Sequence, residues 1–176
     1  MLAYGFHAMF PPRAHGAFQL QDTAAMAQFE PIGYVRSDRT EMSVGHWANV
    51  ESRIELDPIY VKGLAGLGEF SHVVVVFHLD RIPPFDPGKQ LARNPRGMED
   101  LAPVGVFAQR TKFRPNPLGV TAVELVAVDD KGITVRGLDA LDGTPVLDIK
   151  PYIPAFERKD HVRLPAWVDR MMDGYF

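Results

Sequence analysis

The 176-residue sequence contains no cysteine. Disulfide staples, thiolate zinc sites and a cysteine nucleophile are thereby excluded. Long apolar runs are also missing; the best, residues 73–79 (VVVVFHL), is too short to cross a bilayer. The opening stretch, MLAYGFHAMFPPRAHGAFQLQDTAA, lacks the charged start and uniform apolar core of a signal peptide. Residues 1–25 are expected to form a peripheral, poorly ordered extension. Phosphate-cradling glycine loops are absent as well. Residues 63–68 read GLAGLG, which has the wrong glycine order for a dinucleotide fingerprint and precedes a strand instead of a helix. A net charge of −3 argues against a general nucleic-acid binder.

What is present suits one globular domain: 46% of residues are hydrophobic and 23% are charged. The charge is unevenly placed. Residues 81–119 hold seven Lys or Arg against three Asp or Glu, while the segments on either side are acidic. Such a basic middle reads either as one anion-facing surface or as a solvated loop.

Strand signals dominate. They fall at residues 29–37, 52–56, 71–79, 104–109, 121–128, 132–139 and 145–152, with residues 71–79 (SHVVVVFHL) β-branched enough for a barrel wall. Asp129-Asp130-Lys131-Gly132 and Asp142-Gly143 supply hairpin turns. Helical signals are few. Residues 57–68 can hold one turn, and residues 165–174 start on a proline and set Trp167, Met171 and Tyr175 on one helical face. Residues 82–103 form a long proline-rich loop. The expected fold is therefore mainly β, a small antiparallel barrel or sandwich with few short helices. Residues 26–160 make the domain and residues 161–176 a helical tail. The last residues, 164–176, end in aromatics and are expected to cap the barrel or to touch a partner subunit.

Two stretches carry the chemistry. In residues 105–119 (GVFAQRTKFRPNPLG), Gln109 to Arg114 is expected to continue a strand, which sets Arg110, Lys112 and Arg114 in a row on one face. Pro115 and Pro117 stiffen the backbone that carries Arg114 and Asn116. This points to an anionic or planar polar ligand. In residues 138–154 (LDALDGTPVLDIKPYIP), Asp148, Lys150 and Tyr152 share one strand face, a row able to organise a polar substrate and move a proton. The same row also suits an ordinary solvent face of an edge strand. His72, His78 and Asp80 share a face of the Val-rich strand, too far apart along it to hold one metal ion. Trp47 either stacks on a purine or packs against the sheet.

The segments FSHVVVVF, VFAQRTKFRPNPLG and LDALDGTPVLDIKPYIP, in this order, resemble the TsaA-like family, which includes S-adenosylmethionine-dependent tRNA methyltransferases of the TrmO type. The similarity spans about residues 29–156. It implies a small antiparallel β-barrel that binds S-adenosylmethionine without a Rossmann fold, a homodimer, no metal, a cytoplasmic location and tRNA as partner. The implied reaction is methylation of the exocyclic amine nitrogen of threonylcarbamoyladenosine beside the anticodon. Residue by residue, the resemblance puts Arg110, Leu138 and Asp139 on the cofactor, with Asp80 and Arg81 where many members have His-Gln; Asp142, in the Asp142-Gly143 turn, is a further cofactor candidate and a reserve proton acceptor. Lys112, Arg114 and Asn116 fall on the substrate side, and Asp148, Lys150 and Tyr152 become the catalytic candidates. The sequence departs from the family where many members have Pro-Arg-Gln; here it reads TEMSVGHWAN. A methyltransferase for a small molecule and a non-catalytic barrel that binds RNA or nucleotides are the alternatives.

Overall fold

A computed structural model describes residues 28–41 and 45–176. The segment read as an extension, residues 1–25, lies outside the described residues. Six strands close into an antiparallel barrel: β1 (Gly33–Arg36), β2 (Glu51–Leu56), β3 (His72–His78), β6 (Leu118–Asp129), β7 (Gly132–Arg136) and β8 (Pro145–Pro151). Their order round the barrel is β1-β2-β7-β6-β3-β8, and β8 pairs back onto β1. A separate two-stranded sheet joins β4 (Ala92–Arg93) to β5 (Val104–Gly105).

Alternation explains the core. Ile54 and Leu56 of β2, Val73, Val75 and Phe77 of β3, and Ile133 and Val135 of β7 point inward with Val35, Val123, Leu138 and Val146. Val74 is buried on the other face of β3, so this strand is covered on both sides. The β6–β7 hairpin follows from its turn: the Asp129 carboxylate accepts the backbone N–H of Lys131 at 2.8 Å and of Gly132 at 3.2 Å.

Two local features re-aim side chains. The first is a bulge on β8. Val76 pairs with Asp148 but Phe77 pairs with Val146, so Leu147 is an extra residue. One extra residue reverses the parity of a strand. Val146 is accordingly in the core and Ile149, three positions on, packs against it.

The second is the stretch after β5. It does not continue as a strand. Residues Val106–Ala108 form a 3-10 turn, and residues 109–117 run irregularly to β6. The reason is Arg114, whose Nη1 donates to the carbonyls of Val106 at 3.2 Å and Gln109 at 2.7 Å and so holds the chain in a loop. The expected strand row of Arg110, Lys112 and Arg114 does not form.

The proline-rich stretch is more ordered than a loop. It carries α1 (Pro87–Gln90), capped by the Asp86 carboxylate accepting from Gly88 N at 2.9 Å, then β4 and a 3-10 turn at Pro95–Gly97. A short helix, α2 (Pro154–Glu157), follows β8. In the tail, α3 (Trp167–Met172) ends before Tyr175, and Gly174 adopts φ +63°. Tyr175 therefore leaves the helical face it was expected to share with Trp167 and Met171.

Candidate functional site

A cleft of about 540 Å³ opens beside the barrel. That volume is in the range of small-molecule sites. The end of β3 and the residues after it supply Phe77, Leu79, Asp80 and Arg81; the start of β6 supplies Leu118, Gly119, Val120 and Thr121. The Arg114-pinned loop contributes Phe107, Gln109, Arg110, Thr111 and Lys112. Asp139, Ala140, Leu141 and Thr144 form the side before β8, and Trp47, Arg96 and Tyr175 complete the lining.

Gly119 marks a point of close packing. A Cβ there would lie 2.2 Å from the ring of Phe77, which is 1% exposed. Gly143, at φ +76°, permits the turn whose Asp142 carbonyl accepts from the Arg81 guanidinium.

Asp139 is the best-anchored charge in the cleft. Thr121 Oγ1 donates to its Oδ1 at 2.5 Å, and the Tyr175 hydroxyl donates to its Oδ2 at 2.6 Å. Burial, reinforced by the Asp139 charge and hydrogen bond, pushes the Tyr175 phenol above its usual range, so it remains a protonated donor. Arg81, Arg96, Arg110, Lys112 and Arg114 line the same cleft. The Arg110 guanidinium donates to the carbonyl of Val120, and the Arg114 guanidinium lies 6.0 Å from the centre of the Phe107 ring. Trp47, 5% exposed, both packs inward and lines the cleft, with the Arg39 guanidinium 5.2 Å from its ring centre. A cleft holding both signs of charge and four aromatic rings suits a ligand that carries charged groups and a planar ring.

The structure brings together Asp80, Arg81, Arg110, Lys112, Arg114 and Asp139. Leu138 lies one residue away and is fully buried, so it supports the cleft from the core. The Asp142 carboxylate accepts from Ser37 N at 3.2 Å and does not line the cleft. Asn116 is exposed and outside the lining. Asp148, Lys150 and Tyr152 are also absent from the lining. The Lys150 ammonium sits 2.5 Å from the Asp148 carboxylate, which raises the Lys150 pKa, and the Tyr152 ring lies 6.2 Å from that of His72. The β8 bulge turns Val146 and Ile149 toward the core and leaves the Asp148–Lys150 pair on the outer face of the strand.

The sequence reading missed Arg96, Thr121 and Tyr175. Arg96 stands at φ +50° in a loop, and no periodicity marks it. Thr121 looks like any β-branched strand residue. Tyr175 was expected on a helical face with Trp167 and Met171, not at the cleft.

Residues 38–158 match the family model described as the tRNA-methyltransferase O N-terminal domain. The chain belongs to this family. Over 150 residues it is 35% identical to a probable S-adenosyl-L-methionine-binding protein of Pyrococcus abyssi, covering 82% of this chain and 78% of that one. It is 36% identical over 141 residues to the tRNA (adenine(37)-N6)-methyltransferase of Escherichia coli, covering 74% of this chain and 59% of the relative. A crystal structure of TrmO from Pseudomonas aeruginosa superposes with a TM-score of 0.64 at 31% identity, covering 80% of this chain and 61% of that one. The chain thus spans about three fifths of the length of these last two proteins.

Proposed function

We propose that this TrmO-family domain is an S-adenosylmethionine-dependent methyltransferase, and that its acceptor is the exocyclic amine nitrogen of threonylcarbamoyladenosine in tRNA. One observation carries the reading. The family's basic segment, through Arg110, Lys112 and Arg114, and its Leu-Asp segment, through Asp139, line a single cleft, and Thr121, two residues beyond the basic segment, donates a hydrogen bond to Asp139.

The residues present fit the cofactor. S-adenosylmethionine bears an ammonium, a carboxylate, a sulfonium and a purine, and as a bound group it supplies an activated methyl. Asp139, fixed by two hydroxyl donors, offers an anion to the cationic part. Arg110 and Arg81 offer donors to a carboxylate or ribose. Trp47, Phe77 and Phe107 give apolar walls that exclude water and accept a planar ring.

S-adenosylmethionine held in the cleft would supply its methyl for in-line displacement by the amine nitrogen, the S–C bond breaking as the N–C bond formed, and the nitrogen would give its proton to a base or to water. Alignment matters more here than acid–base strength. A loop held by Arg114 and a carboxylate held by Thr121 and Tyr175 provide that alignment. Lys112 at the rim faces an RNA phosphate or the threonyl carboxylate. A tRNA acceptor and the family resemblance support a cytoplasmic enzyme and a homodimer; light scattering of the purified chain tests the latter.

The deciding experiment incubates the purified chain with threonylcarbamoyladenosine-containing tRNA and S-adenosylmethionine, followed by mass spectrometry of the nucleosides. A methylated product is expected. Cofactor binding without any methylated nucleoside would move the acceptor to a small molecule, a reading favoured by the net charge of −3.

A further inference from the structure

The tail crosses the cleft instead of leaving the barrel. His46 N donates to the Gly174 carbonyl at 2.9 Å, and Trp47 N donates to the Tyr175 carbonyl at 3.1 Å. Arg96 donates to the Met171 carbonyl and stacks over the Tyr175 ring at 5.2 Å. An ion pair between Arg170 and Asp100, at 2.9 Å, fixes the preceding helix. Tyr175 is thus placed from three directions, and its ring stands between two cavities. It lines the main cleft and also a chamber of about 270 Å³, and both share Arg96, Arg110, Thr121 and Asp139.

The geometry points to Tyr175 as a positioning residue for the cofactor site: its hydroxyl, the donor to Asp139 Oδ2, holds that carboxylate in the rotamer the ligand meets, and its ring is the tail's contribution to the cleft wall. This rests on the cofactor reading given above. Asp139 carries two acceptor oxygens on a short side chain. With only Thr121 as donor, the carboxylate is free to turn about that one bond; with Tyr175 as a second donor, both oxygens are fixed. Each oxygen keeps a lone pair for a ligand donor. The phenol's raised pKa is consistent with a donor that does not ionise near neutrality.

Calorimetry with S-adenosylmethionine on the full chain tests this through a double-mutant cycle of Tyr175→Phe and Asp139→Asn. Tyr175→Phe keeps the ring and its stacking with Arg96 but loses the donor. The expected result is about a tenfold rise in Kd, the size of one charge-assisted hydrogen bond. The double variant is expected to bind no worse than Asp139→Asn alone, because the hydroxyl acts through that carboxylate. A chain lacking residues 175 and 176 keeps α3 and the Arg170–Asp100 pair, and it is expected to lose at least as much affinity as Tyr175→Phe. Wild-type affinity in Tyr175→Phe, or independent and additive losses in the cycle, would overturn the positioning role while leaving the cofactor reading intact. If the wild-type chain itself binds no S-adenosylmethionine, the cofactor reading fails, and this inference with it. Melting curves of each variant establish that the barrel is folded at the temperature of measurement.

Discussion

Thr121 and Asp139 are joined by a 2.5 Å hydrogen bond that spans 18 residues of chain and ties β6 to the segment after β7. Thr121 is nearly buried, so its hydroxyl has few alternatives. Removing it leaves a carboxylate with one donor fewer. Thr121→Val is expected to lower unfolding free energy by about 2 kcal/mol, the scale of a hydrogen bond to a charged group. Urea denaturation measures this, and an unchanged midpoint would count against the bond.

Arg110 reaches the Val120 carbonyl from the loop and lies on the cleft wall. Arg110→Ala is expected to weaken S-adenosylmethionine binding by about 10- to 100-fold, with little loss of stability. Calorimetry beside a melting curve separates the two effects. Equal affinity in the variant removes Arg110 from the cofactor site.

Lys150 and Asp148 pair outside the cleft lining. Lys150→Ala is therefore expected to retain the wild-type Kd for S-adenosylmethionine within about twofold, since exposed pairs contribute little. A tenfold loss would show that β8 reaches the cofactor after all.

Gly119→Ala would press a methyl group into the Phe77 ring, which is 1% exposed. A destabilisation of about 1–3 kcal/mol is expected from this overpacking. Pairing the change with Phe77→Leu is expected to recover part of it, and failure of any recovery would point to backbone strain instead.

The Arg53 guanidinium, followed by the Lys131 N–H, holds the Asp129 carboxyl well below the usual carboxylate range. A depressed pKa in the fold means that the ionised form is favoured there. Its contribution is present above the ordinary value near 3.8 and is lost as the pH falls below it. The melting-temperature gap between wild type and Asp129→Asn is thus expected at pH 7 and should shrink on acidification below pH 4. Because the Arg53–Asp129 pair is exposed, added salt should also narrow the gap. A gap that stays constant from pH 7 to acid would rule out this linkage.

By itself the sequence determined a good deal. Alternation and β-branching place β2, β3, β6 and β7, because a strand half-buried in a barrel must repeat every second residue. Turn chemistry at Asp129 and Gly143 holds for the same local reason. The two family segments also identified Arg110 and Asp139, both of which line the cleft.

Only the tertiary structure decided which side chains meet. The Arg110–Lys112–Arg114 row dissolved because Arg114 found the carbonyls of Val106 and Gln109, a choice no periodicity records. The Asp148–Lys150–Tyr152 row lies outside the cleft lining, and the extra residue at Leu147, which decides the face that β8 turns to the core, is invisible until β8 pairs with β3. Arg96, Thr121 and Tyr175 come from a loop, a strand and the tail, and they converge on Asp139 and one another only after the barrel closes. Local backbone preference is written in neighbouring residues; a binding cleft is built from contacts distant in the chain, and these are fixed by packing.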